Sequence, residues 1–156
     1  MHLSEVLDPD RICIDGNCQS KTSVLLKISH ILSHNETHLN SNDLFDAYCK
    51  REQLGSTAIG QGIMIPHIRC AEITKPKACF IKLASPIDFA APDKQPVDLI
   101  IGLIVPKDHF EQHLQLLNGI VKQFNVPGFR EQCRKTLNKE QLFKLICTDQ
   151  LKIENL

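Results

Sequence analysis

With 156 residues, 42% of them hydrophobic and 23% charged, the chain has the material for one globular domain over 1–156 that buries its core without disulfide staples. Eighteen Lys plus Arg balance eighteen Asp plus Glu, so no net field argues for nucleic acid or an anionic membrane surface. The seven cysteines contain no C-x-x-C pair, and neither a signal peptide nor the ~18-residue apolar run of a membrane span is present, so a reduced, cytoplasmic protein without membrane insertion is the expectation.

In chain order, a helical turn at Leu3 to Leu7 precedes a candidate strand from Arg11 to Ile14, and Gly16 with Asn17 makes a turn. From Ser20, a natural N-cap, Val24, Leu25, Ile28, Ile31 and Leu32 form one face of an amphipathic helix. His30, His34 and His38 follow at intervals of four; a metal site needs more ligands than these supply, and a polar stripe running into a loop is the commoner meaning. A second helix starts after Asn40 or Ser41 and runs to about Leu54, with Gly55 as its C-prime residue. Arg51 falls in its last turn, where a cation suits the helix dipole.

The stretch Gly55 to His67, GSTAIGQGIMIPH, joins flexible glycines to a proline that stiffens the backbone directly before a histidine. This presents the His67 imidazole for chemistry. Ile63 to Ile65 and Cys79 to Leu83 read as short strands, and Ser85 to Pro96 as a loop. Val97 to Val105 is nearly continuously apolar up to Pro106, which marks a central strand covered on both faces. Asp108 with Glu111 forms a capping-box pair for the next helix, whose apolar face is Phe110, Leu114, Leu117, Val121 and Phe124. His113 lies one turn into that helix, near outward-pointing N–H groups that favour anions; on spacing alone, a satisfied helix histidine is the commoner meaning. His109 and His113 do not make a zinc-hydrolase motif, because Phe110 stands where H-E-x-x-H needs glutamate. Asn138 with Gln141 caps a closing helix through Leu142, Leu145 and Ile146. The alternation of strands and helical patterns predicts an α/β fold, with helices on both sides of a mixed sheet.

No repeat, P-loop, dinucleotide fingerprint or G-x-S-x-G elbow is present, so a nucleotide, a nucleophilic serine and a cofactor are not expected. The run REQLGSTAIGQGIMIPH resembles the signature of the enzyme IIA domains of the bacterial phosphotransferase system, fructose and mannitol type. The resemblance extends through CQSKTSVLLKISHIL, SPIDFAAPDKQPVDLIIGLIVP and EQHLQLL. The early segment, and the lack of a fused transport or phosphocarrier domain, are most like the nitrogen-regulatory branch, the enzyme IIA-Ntr proteins. The resemblance implies a three-layer α/β/α domain with a central mixed sheet. It further implies that His67 is phosphorylated on Nε2, with Arg51 and His113 as the matching site residues and neither metal nor cofactor. Gln53 stands in place of a usual lysine, and Ile68 and Arg69 in place of a usual Gly-Lys. The implied donor is an HPr/NPr-like phosphocarrier protein. The implied recipients are regulatory protein targets or, in a sugar-specific reading, a transporter IIB domain. A third possibility is a binding module in which His67 is unused or acts only as a switch.

Overall fold

A computed structural model describes residues 1–156. Its centre is the strand β6, Val97–Pro106. Val97, Leu99, Ile100, Ile101, Leu103 and Ile104 are all inaccessible to solvent, as a continuous apolar run requires when helices cover both faces. Around it the sheet runs β1 (Ile12–Gly16), β5 (Lys77–Ile87), β6, β3 (Ile63–Met64), β2 (Ala58–Gly60), and β4 (His67–Cys70) shares the β3 side of β6. Pairing is parallel for β1 with β5 and for β3 and β4 with β6, and antiparallel for β5 with β6 and β2 with β3. The sheet is therefore mixed.

Alternate residues of β6 feed two separate cores. Leu99, Ile101 and Leu103 join Ala78 and Phe80 beneath α1 (Leu3–Val6), α4 (Phe110–Phe124), α5 (Pro127–Lys135), α6 (Lys139–Ile146) and α7 (Gln150–Ile153). Ile100 and Ile104 join Cys79, Ile81, Met64 and Ile68 beneath α2 (Lys21–Ser33) and α3 (Ser41–Gln53). This is the three-layer α/β/α arrangement expected. The period-two alternation of side chains assigns each face to its own helices. Gly102 lies on the α2 face, where an added Cβ would come within 2.8 Å of both the Ile28 side chain and Cys79 Sγ; its lack of a side chain lets α2 pack close.

The helix starts follow the caps read from the sequence, with one exception. Ser20 accepts from Ser23 N–H, Asn40 from Asn42 and Asp43, and Asn138 from Gln141. At α4, however, the N-cap is His109, not Asp108. His109 sits in the left-handed region at φ 64°, ψ 49°, without a side-chain cap. The chain turns sharply off the end of β6, so Glu111 lies in the first turn of α4 beside the helix dipole and forms no capping box.

Other boundaries move as well. Residues Pro9–Arg11 form a 3₁₀ turn, so the first strand begins at Ile12, and Gly16 is its last residue. Strand β5 reaches Ile87, into the segment expected to be loop; its pairing with β6 shifts register between Lys82 and Ile87, which accommodates Pro86 away from the regular ladder. Helix α5 has little apolar sequence to announce it. It buries Phe129 and Cys133 together with Arg130, whose Nη1 donates to Phe124 O at 2.9 Å.

Candidate phosphoryl-acceptor site

Strands β3 and β4 are one line interrupted at Ile65 and Pro66. Ile63 faces Leu99 and His67 faces Leu103, so the register on β6 is unchanged across the break. Pro66 has no N–H to give, but its carbonyl accepts Leu103 N–H at 2.8 Å and keeps the line on the sheet. His67 thus starts a strand on a rigid scaffold. Below it, the buried Tyr48 hydroxyl of α3 donates to Leu103 O, tying that helix to the same point of β6.

The imidazole is half-buried and fixed. Its Nδ1 lies 2.8 Å from the Ile65 carbonyl oxygen. A carbonyl only accepts, so Nδ1 carries the hydrogen and Nε2 keeps a free lone pair. Burial pushes the His67 pKa below the ordinary histidine value, and the positive charges of Arg51 and Arg69 act in the same direction. The Ile65 hydrogen bond and the Glu52 carboxylate oppose them. The net result is a ring that is neutral at pH 7.

A cavity of about 570 Å³ opens beside this ring. Helix α3 contributes Ala47, Lys50, Arg51 and Leu54, β4 contributes Ile68 and Arg69, and α4 contributes Phe110, His113, Leu114 and Leu117. The three residues singled out from the sequence, Arg51, His67 and His113, therefore line one hollow. The lining includes three cations and no carboxylate. Arg51 Nη1 donates to Gly55 O at 3.0 Å. Arg69 lies with its Cζ 5.0 Å from the centroid of the Phe110 ring, a cation–π arrangement that joins β4 to the start of α4. His113 is 6% exposed, and its pKa is lowered by burial first, then by the charges of His109 and Arg69.

Lys50 and Arg69 are the site residues that the sequence signal passed over. Strand alternation identifies Arg69 once β4 is known, since residues 67 and 69 point to the same face. The glycines at 60 and 62, in contrast, do not cradle a ligand next to His67. They flank Gln61 in the β2–β3 hairpin turn, where Gly60, Gln61 and Gly62 all have positive φ. Gln61 N–H donates to Asp93 at 2.8 Å, and a Cβ on Gly62 would lie 2.5 Å from Arg134 Nη2. That turn lines a different hollow, with Pro96, Asp98 and Arg134. His30, His34 and His38 do not converge: His30 is inside α2, His34 is its C-cap, and His38 lies 3.9 Å from Glu36. No group of three or more His, Cys, Asp or Glu side chains is placed to hold a metal ion, and no helix is long and apolar enough to cross a membrane.

The mixed-sheet α/β/α fold sets a tethered histidine beside a largely apolar hollow whose charged side chains are all cations, and known families can be compared with it on both counts. The family model described as "Phosphoenolpyruvate-dependent sugar phosphotransferase system, EIIA 2" matches residues 5–148, and the chain belongs to that family. It is 37% identical over 147 residues to the nitrogen regulatory protein of Klebsiella oxytoca, covering 94% of this chain and 90% of that one. The nitrogen regulatory protein of Pseudomonas aeruginosa is 32% identical over 146 residues, covering 94% and 95%. Among solved structures, the nitrogen regulatory protein IIA-Ntr of Neisseria meningitidis superposes with a TM-score of 0.88 at 31% identity, covering 92% of this chain and 98% of that one. The mannitol IIA of Escherichia coli shares the fold with a TM-score of 0.76 at 16% identity, over 90% and 98%.

Proposed function

We propose that this chain is a cytoplasmic phosphocarrier whose His67 accepts a phosphoryl group from a phosphohistidine on an HPr/NPr-like protein and acts in nitrogen or metabolic regulation. The observation that carries this reading is the tether from His67 Nδ1 to Ile65 O beside a hollow lined by Lys50, Arg51 and Arg69 without a carboxylate. The Nε2 lone pair attacks the phosphorus as the P–N bond of the donor breaks, and that bond's electron pair returns to the donor imidazole nitrogen. The proton stays on Nδ1, which keeps donating it to the Ile65 carbonyl. Charge on the equatorial oxygens is met by fixed donors, with Arg51 and His113 in that role, so positioning and electrostatics supply the catalysis and no metal or nucleotide is called for.

The rim suits docking to another protein. Leu54 is 85% exposed and Phe110 56% exposed, and both stand beside the cationic hollow. Apolar contact would exclude water around the two reacting imidazoles while the cations draw in the anionic group. The relatives at 32% and 37% identity are nitrogen regulatory proteins, which favours a regulatory target as the readout. A IIB domain is the second candidate recipient, since the mannitol IIA that shares this fold has been solved in complex with phosphorylated enzyme IIB.

The test is mass spectrometry after incubation with phosphoenolpyruvate, enzyme I and a histidine phosphocarrier. One acid-labile phosphoryl group on His67, absent from His67→Ala, is the expected result. Undiminished labelling of His67→Ala would overturn the assignment. Binding of phosphorylated and unphosphorylated protein to a candidate target separates a relay from a switch, because a switch requires the two affinities to differ.

A further inference from the structure

The hold on His67 begins on α3, with the residue next to Arg51. Glu52 Oε1 accepts both the backbone N–H of Thr57, at 3.2 Å, and its hydroxyl. Thr57 is buried at 5% exposure. Its carbonyl accepts Ile65 N–H at 3.0 Å, and the Ile65 carbonyl in turn takes the Nδ1 hydrogen of His67 at 2.8 Å. A carboxylate on a helix thus reaches the imidazole through two residues, with a hydrogen bond at every step.

Each link sits where the sheet cannot serve instead. The β2–β3 pairing ends at Ala58 with Met64, so the Ile65 amide depends on Thr57. Pro66 follows, and its lack of an N–H leaves the Ile65 peptide without a neighbouring donor to share the load. Thr57 directs its own amide and hydroxyl back to Glu52 and stays in place through that contact. Arg51 grips the same turn from the other side through Gly55 O. If Arg51 turns to meet an incoming phosphoryl group, it releases Gly55, and Glu52 alone keeps the loop on α3.

We propose that Glu52 is a positioning residue for phosphoryl acceptance: through Thr57 and Ile65 it fixes the Nδ1–H tautomer and the orientation of His67, so that Nε2 is held ready for the incoming phosphorus. This rests on His67 being the acceptor. It differs from a loop staple in predicting an effect on the tautomer of a ring that Glu52 does not touch.

The experiment uses the full chain labelled with ¹⁵N, in which long-range ¹H–¹⁵N correlation reports the His67 tautomer without any phosphoryl donor. Single-turnover acceptance from a phosphorylated histidine phosphocarrier is measured in parallel. Wild type is expected to show only the Nδ1–H form. Glu52→Ala should populate the Nε2–H form and accept the phosphoryl group about ten- to a hundredfold more slowly, on the order seen when a supporting contact is removed. Glu52→Gln keeps an acceptor oxygen for Thr57 and should restore both readouts. Thr57→Val, which removes only the hydroxyl, should show a smaller change in the same direction, and it carries the test if Glu52→Ala does not fold. A folded Glu52→Ala that loses thermal stability but keeps the wild-type tautomer and rate would overturn the proposal while leaving the acceptor assignment standing. The opposite pattern, a shifted tautomer in a protein whose wild type takes no phosphoryl group on His67, would support the relay and overturn the acceptor assignment.

Discussion

Two hollows of similar size differ in how their charges are used. The larger, about 680 Å³, lies between the N-terminal segment and the end of α2 and is lined by Asp8, Asp10, Arg11, His30, Glu36 and Lys77, among others. Its cations are spoken for. Arg11 donates to Ala78 O and Val6 O, and Lys77 donates to Leu32 O at 3.1 Å and to Glu36 at 2.8 Å. The Lys77 hydrogen bond and charge hold the Glu36 carboxyl below the usual glutamate range. In the hollow beside His67, Arg51 meets only a backbone carbonyl and Arg69 an aromatic face, with no carboxylate in the lining. Carboxylates balance the cations in the first hollow, whereas the cations beside His67 face none, an arrangement that favours an anion. Size alone does not single out the hollow proposed here as the site.

The contrast can be broken by exchanging effects between the two places. Arg51→Ala and His113→Ala should each slow acceptance by roughly ten- to a hundredfold, about 1.4–2.7 kcal/mol of barrier, in single-turnover assays. Rates equal to wild type in both variants would return Arg51 to helix capping and His113 to core packing. Lys77→Met should do the reverse. It cuts the Glu36 pair and the bond to the Leu32 carbonyl at the α2 terminus, and should cost about 1 kcal/mol of stability in urea unfolding, a modest figure because both side chains keep some solvent contact. Its phosphoryl acceptance should be unchanged, and a comparable loss of rate would erase the distinction.

A smaller effect is set by pH. His67 has its pKa lowered by burial first, so the folded chain holds this ring neutral at a pH where the unfolded chain, titrating near 6.5, already binds a proton. Stability should therefore fall as pH drops through about 6.5 and level off once pH passes below the folded pKa. His113, lowered by burial as well, contributes in the same direction. Acceptance should persist to lower pH than an ordinary histidine would allow. Denaturant titrations at several pH values with His67→Asn should show a reduced slope in this window; an unchanged slope would mean that His67 titrates alike in both states.

Much of this protein is written in local signals. Ser20, Asn40 and Asn138 announce three helices because an N-cap needs only one short side chain and the next turn's amides. The unbroken apolar run of β6 announces a doubly covered strand, and the I-P-H sequence announces a histidine on a stiff backbone. On local signals alone Arg51 reads as a helix-end cation and His113 as a satisfied helix histidine; the resemblance to the enzyme IIA signature is what singled them out.

What only the tertiary structure decided depends on distant partners. A strand at Ile63 to Ile65 was legible beforehand, but the short β2 and β4 exist because β3 and β6 complete their hydrogen bonds, and so few residues carry no period of their own. The glycines at 60 and 62 turned out to serve that hairpin, beside Asp93, Asp98 and Arg134, rather than the histidine. Asp108 lost the cap of α4 because the direction in which β6 ends forces the turn at His109. The sequence by itself determined which side chains were available for chemistry near His67. Folding decided which of them face one another: Lys50 and Arg51 come from α3, Arg69 from β4 and His113 from α4, and only the docking of both helices against one sheet brings their charges to a single ring.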